Sequence, residues 1–134
     1  MWEHEYAAET TAAPAAVWAV LSDLDHWAEW DTSMEWVRLD GPLQVGSAVV
    51  MKPIGQDPIT STITAVDDRV RYADETVFGE VTLRFSHTLH PTPEGGTRVV
   101  HRLEVDGPGA ADVGALVSED FPEAMAGLLA AALL

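Results

Sequence analysis

Six short segments in which apolar and polar residues alternate fill most of the chain, and they constrain its fold more than any other feature. A period of two is typical of strands with one buried face, and connections of hairpin length join antiparallel neighbours. Turn-forming pairs such as Gly41-Pro42 and Gly95-Gly96 separate the segments. The pattern predicts a meander of strands over residues 35–40, 47–53, 59–66, 69–76, 79–90 and 97–106.

Before the meander, residues 2–11 alternate as a further strand. Pro14 then starts an apolar pattern of helical spacing over residues 14–22, which predicts a helix because proline is tolerated in a first helical turn. A second short helix is predicted over residues 24–30, with Asp23 as its N-cap.

After the meander, apolar residues from Gly109 onwards recur at steps of three and four. This spacing predicts one long amphipathic helix, with a kink at Pro122 because proline removes a backbone donor. Only this helix is long enough to cover an apolar sheet face, so we expect an α+β domain in which a curved antiparallel sheet of seven strands wraps around it. We expect residues 1–134 to form this one domain.

Composition excludes several classes of protein. The chain has 7 Lys and Arg against 22 Asp and Glu, and a net charge of -15 repels phosphate backbones, so no nucleic acid partner is expected. The absence of cysteine excludes disulfides and thiolate nucleophiles. The acidic start does not resemble an export signal, and the apolar stretch 124–134 is shorter than the about 20 residues that span a membrane. We expect a cytoplasmic protein with no membrane insertion.

Two histidines are predicted to face each other inside the sheet. His87 and His101 share the apolar faces of their strands, and a turn centred on Glu94 places them directly opposite. They are either core residues or polar contacts for a ligand carbonyl or hydroxyl. Acid–base catalysis is a further reading, although no inward carboxylate is evident to orient an imidazole. A three-histidine metal site with His4 is disfavoured, so no metal is expected.

Large and deformable side chains form a second group of candidates. Trp18 and Trp27 are assigned to ordinary core packing. Met and aromatic residues are also what a pocket for flat or greasy ligands uses, and the two histidines complete the set. The candidate ligand-binding residues are Trp30, Met34, Trp36, Met51, Tyr72, Phe78, Phe85, His87, His101, Phe121 and Met125. Gly95-Gly96 lies in a hairpin turn, not before a helix, so it is no phosphate loop, and no cofactor is expected.

The order of the elements, with the phrases at residues 13–31, 41–47 and 94–99, resembles the SRPBCC superfamily (START-related and birch-pollen-allergen-like), in its bacterial polyketide cyclase/dehydratase and lipid-transport branch. The resemblance covers essentially the whole chain and implies a helix-grip fold over a deep apolar cavity. Members of this superfamily bind lipids, sterols, hormones or polyketides, and only some catalyse cyclisation or dehydration. No catalytic motif of the superfamily matches this chain, so the resemblance implies a cavity but no reaction.

Three functions follow as hypotheses. The first is binding of a small hydrophobic or aromatic molecule, lipid- or polyketide-like, between the sheet and the C-terminal helix. The second is a cofactor-free cyclase/dehydratase in which His87 or His101 is the catalytic residue. The third is an acidic module that docks on a basic protein. The sequence leaves both a monomer and a homodimer open.

Overall fold

The computed structural model describes residues 1–134 and contains one sheet of seven strands. All neighbouring strands are antiparallel, and their order is the one a meander produces, with the first strand added beside the last. The predicted sheet is therefore confirmed. The strands are β1 (Trp2–Thr10), β2 (Met34–Asp40), β3 (Ala48–Pro53), β4 (Ile59–Asp67), β5 (Arg71–Phe78), β6 (Val81–Pro91) and β7 (Thr97–Asp106), in the order β1-β7-β6-β5-β4-β3-β2.

Four helical segments accompany the sheet. Helix α1 (Pro14–Leu21) and a 3-10 helix (Leu24–Glu29) connect β1 to β2, which are the two opposite edges of the sheet. The chain therefore has to pass across the sheet between these two strands. Helices α2 (Ala110–Ser118) and α3 (Phe121–Ala132) follow β7. None of the helices is both long enough and apolar enough to cross a membrane.

The C-terminal helix is bent, as predicted. The interruption lies at Glu119 and Asp120, but both residues keep right-handed helical dihedral angles, so α3 continues α2 after a change of direction. Pro122 lies in the first turn of α3, where its missing N–H costs no helical hydrogen bond. Proline therefore defines the start of the second half of the helix and does not interrupt its ladder.

The inner face of the sheet is buried under α1, the 3-10 helix and α3. Val17 and Leu21 from α1 are fully buried, and so is Leu128 from α3. A Cβ atom at Gly127 would lie 2.1 Å from the carbonyl oxygen of Trp30, so α3 packs directly on the backbone at the end of the 3-10 helix. A smaller apolar cluster lies farther along β6 and β7, where Leu83, Leu103, Val105 and Phe121 pack together.

Two local predictions are wrong. Arg69 was predicted to start the fifth strand, but its φ of 60° is left-handed, and it lies in a turn that Val70 closes by donating its N–H to the carbonyl of Asp67. Asp23 was predicted to cap the second helix, but its carboxylate makes no capping bond and instead contacts the Nδ1 atom of His26 at 2.8 Å. The second helix is a 3-10 helix, which has fewer residues per turn than an α-helix.

Candidate functional site

Three rings lie side by side across the inner face of β5, β6 and β7. Tyr72 pairs with His87 in the sheet register, and His87 pairs with His101. The ring centroids are 5.8 Å apart in the first pair and 4.4 Å apart in the second, where the two imidazoles meet edge to face. The predicted opposition of His87 and His101 is confirmed. His4 pairs with Leu103 and is exposed, so it does not lie opposite His101.

A carboxylate lies on the same face. Asp74 follows Tyr72 by two residues on β5, so it points to the same side of the sheet, and it is only 2% exposed. The hydroxyl of Tyr72 donates a hydrogen bond to its Oδ2 atom at 2.9 Å. The expectation that no carboxylate faces inward is therefore wrong. We call Tyr72, Asp74, His87 and His101 the inner polar cluster.

The 3-10 helix covers this cluster with tryptophan. The ring centroid of Trp27 lies 5.3 Å from that of Tyr72 and 5.6 Å from that of His87. Its indole N–H donates to the carbonyl of Leu21 at 2.8 Å, which fixes the orientation of the ring. Trp30 packs against Trp27 at 5.7 Å. Trp27 was assigned to ordinary packing, but the structure places it directly on the inner polar cluster.

Burial sets the charge state of the cluster. Burial raises the pKa of Asp74 to about 7, against the opposing effect of the Tyr72 hydrogen bond. Burial, reinforced by Asp74, also raises the pKa of Tyr72, which keeps the hydroxyl protonated. Burial lowers the pKa of His101 to about 4, and burial together with His101 lowers the pKa of His87 well below its ordinary value. Both imidazoles are therefore uncharged at neutral pH.

Four polar atoms in this region are shielded from solvent and have no hydrogen-bond partner in the protein. They are Asp74 Oδ1, His87 Nδ1, His101 Nε2 and Trp30 Nε1. Nearly all buried polar groups in proteins have a partner, and each one without a partner costs about 1–3 kcal/mol. Four such atoms in one region point to an interaction that the chain does not make with itself.

Of the other sequence candidates, two lie beside the cluster and three methionines pack in or against the core. Phe121 lies 6.1 Å from His101, ring to ring. Phe85 pairs with Asp74 in the sheet register, and Met125 is buried in the core. Met34 and Met51 are half-buried residues that pack against the main core.

Two candidates lie elsewhere. Trp36 flanks the inward-facing Val37, lies 5.7 Å from the guanidinium of Arg38 and therefore faces away from the core. Phe78 is 64% exposed at the end of β5, where the chain enters the hairpin to β6. Both were chosen by residue type, whereas strand alternation places Trp36 outward and the hairpin leaves Phe78 in solvent.

Two surface depressions lie away from the inner polar cluster. One depression of about 180 Å³ lies on the outer face of the sheet, where it is lined by Arg71, Arg84 and Ser86 among others. Another of about 290 Å³ lies beside the β6–β7 hairpin, next to Thr92 and Glu94. Neither includes a residue of the inner polar cluster, so these two depressions are not the apolar cavity implied by the family resemblance.

Solved structures of similar shape are diverse in sequence. The Zhui aromatase/cyclase from Streptomyces has a TM-score of 0.79 at 17% identity, covering 98% of this chain and 93% of its own. A START superfamily protein from Mycobacterium smegmatis has a TM-score of 0.77 at 12% identity, covering 96% and 94%. Norcoclaurine synthase from Thalictrum flavum has a TM-score of 0.77 at 14% identity, covering 98% and 86%. At these identities the likeness shows the fold alone.

Comparison at the level of sequence gives the family. No curated protein matches the chain. The family described as "Polyketide cyclase / dehydrase and lipid transport" matches residues 1–134. The match covers the whole helix-grip fold, from β1 to the end of α3. The chain therefore belongs to the polyketide cyclase/dehydrase and lipid transport family.

Proposed function

We propose that the protein binds a small hydrophobic or aromatic molecule between the sheet and its C-terminal helices, against the inner polar cluster. The observation that carries this proposal is the set of four buried polar atoms without a partner. A ligand with a polar edge would complete their hydrogen bonds, while its apolar body would contact Trp27 and Phe121.

Binding requires an opening, because Trp27 covers the cluster. The 3-10 helix that carries Trp27 is short and has no side-chain cap, and its displacement would have to break the hydrogen bonds from Trp27 to the carbonyl of Leu21 and from Leu39 to the carboxylate of Asp25. Displacement of this helix would uncover Tyr72 and His87, whose rings Trp27 contacts. A flat molecule could then replace the indole ring among the remaining aromatic rings.

The test is a binding screen by native mass spectrometry and tryptophan fluorescence, with fatty acids, flavonoids and aromatic polyketides as ligands. We expect at least one bound species, with a change in fluorescence because the ligand displaces Trp27. For that ligand, His101→Leu is expected to weaken binding about tenfold by removing one buried hydrogen bond. His90→Leu is the matched control, because His90 lies exposed on the same hairpin.

Two results would contradict the proposal. The first is a screen in which no ligand binds and the fluorescence does not change, as expected if ordered water alone satisfies the four atoms. The second is equal weakening by His101→Leu and His90→Leu, which would place the ligand outside the inner polar cluster.

A second candidate function is a cofactor-free cyclase or dehydratase, and Asp74 is the observation that favours it. A carboxyl with a pKa of about 7 is suited to take or give a proton alpha to a carbonyl at neutral pH. The neutral imidazoles of His87 and His101 would orient the substrate as hydrogen-bond partners, since their lowered pKa values disfavour protonation. If so, Asp74→Asn abolishes turnover of a poly-β-keto substrate mimic while binding remains. Unchanged turnover would exclude this role.

A further inference from the structure

We propose that the ligand of the inner polar cluster is a hydrophobic amine, bound as a cation whose ammonium group pairs with Asp74. This inference rests on the proposed function, because it assumes that a ligand reaches the cluster. It goes further by assigning a sign of charge to the ligand.

Asp74 has no cation within the protein. None of the seven basic residues of the chain is buried. Arg84 and Arg102 lie on the outer face, paired with Glu75 and Glu3 among others, and Lys52 pairs with Glu35. The carboxyl group is nonetheless placed on the inner face and held there by the hydroxyl of Tyr72. An ionised carboxylate in a protein interior is normally paired with a cation, and here only a ligand could supply that cation.

The free atoms of the cluster can accept hydrogen bonds. Asp74 Oδ1 is an acceptor when the carboxylate is ionised, and His87 Nδ1 and His101 Nε2 are each able to accept in one tautomer of a neutral imidazole. An ammonium group donates only, so it suits all three. A fatty acid anion has the opposite properties, because its carboxylate would be repelled by Asp74. Trp30 Nε1 is a donor, so the complete ligand also carries an oxygen acceptor.

The surroundings favour a cation as well. The ring of Trp27 lies against that of Tyr72 within the cluster, and aromatic faces attract ammonium groups. Beside Trp30, Asp31 lies close to Asp120 and Glu123, whose negative charges add to burial in raising its pKa. This group of carboxyls and the net charge of -15 attract cations towards the end of the 3-10 helix.

The experiment compares three probes with the same aromatic body: naphthylethylamine, naphthylethanol and naphthylacetic acid. Binding is measured by calorimetry at neutral pH and physiological salt. The amine is expected to bind about tenfold tighter than the alcohol, and the acid weakest, because a charged hydrogen bond is stronger than a neutral one. In Asp74→Asn the preference for the amine over the alcohol disappears, while alcohol binding stays within about threefold. Asp57→Asn, an exposed change of equal charge, keeps the wild-type preference.

A second measurement needs no variant. At about pH 6 the carboxyl of Asp74 is protonated, so binding of the ammonium form ionises it and releases about one proton. The other ionisable side chains near the site are Tyr72, His87 and His101, Tyr6 opposite His101 on β1, and Asp31 beside Trp30. Calorimetry in buffers of different ionisation enthalpy counts the released protons, and naphthylethanol is expected to release none. An alcohol or acid that binds as tightly as the amine overturns the amine assignment but leaves the proposed function standing. If none of the three probes binds, and no ligand of the wider screen binds either, the proposed function itself is contradicted.

Discussion

The buried carboxyl of Asp74 makes a quantitative prediction about stability, tested by the substitution Asp74→Asn. The amide keeps the shape of the side chain and still accepts the hydrogen bond that Tyr72 donates, but it does not titrate. In the wild type, burial raises the pKa of Asp74 from 3.8 to about 7. Between these values the folded state holds a proton that the unfolded state has released. The free energy of unfolding therefore falls as the pH rises through this window.

The size of this decrease follows from the difference between the folded and unfolded pKa values of Asp74. Each pH unit in the window changes the free energy of unfolding by about 1.4 kcal/mol, so the Asp74 contribution falls by about 3 kcal/mol between pH 5 and pH 8. The measured range starts at pH 5 because the sequence pI is about 4.3, and proteins associate and precipitate where their net charge approaches zero. The neutral imidazoles of His87 and His101 titrate in both proteins, so their contribution cancels when the two curves are subtracted.

The assay is urea unfolding followed by circular dichroism at four pH values from 5 to 8. The free energy of unfolding of the wild type minus that of Asp74→Asn is expected to decrease by about 3 kcal/mol across this range. The exposed variant Asp57→Asn is expected to show no such trend against the wild type. A difference between the wild type and Asp74→Asn that does not change with pH would refute the raised pKa and the charge assignment of the site.

Three further substitutions test other parts of the structure. Gly127→Ala places a methyl group against the carbonyl of Trp30, and we expect a loss of about 1–3 kcal/mol by urea unfolding, although alanine is the better helix former; equal or higher stability would contradict the close packing of α3. Thr97→Val removes the hydrogen bond that the hydroxyl donates to the carbonyl of Ala12 at 2.8 Å, at an expected cost of about 1–2 kcal/mol; an unchanged melting temperature would show that this bond contributes nothing. His101→Gln removes a group whose folded pKa is lowered to about 4, so the unfolded wild type takes up a proton below pH 6.5 that the folded state does not. This costs the wild type about 2 kcal/mol of unfolding free energy between pH 6.5 and pH 5, and the loss is expected to disappear in the variant. An identical acid dependence in both proteins would argue against the burial of His101.

Much of the site is readable from strand alternation. Alternation on β6 and β7, with the turn at Glu94, places His87 opposite His101, and the structure confirms it. The same rule applied from Tyr72 along β5 would have placed Asp74 inward, whereas no inward carboxylate was expected. Alternation is the stronger signal, because a strand has no means of turning one side chain to the opposite face without a bulge.

The role of Trp27 is not readable in this way. Its helical spacing shows that it is buried, but not which strands it meets across the interior. Whether it contacts β5 and β6 depends on the path of the 3-10 helix between the two edges of the sheet. Trp36 is the opposite case. It is a large apolar residue next to the buried Val37, yet its ring lies against Arg38 on the outer face of the sheet.

The sequence by itself determined the strands, their antiparallel order, the bent C-terminal helix and the pairing of the two histidines. These features depend on local periodicity and on short turns, which act between residues close in the chain. Only the tertiary structure decided that Trp27 packs on Tyr72 and His87, that four polar atoms remain without partners and that no basic side chain reaches Asp74. These facts depend on contacts between segments far apart in sequence, because burial and charge compensation are set by the packing of the whole chain.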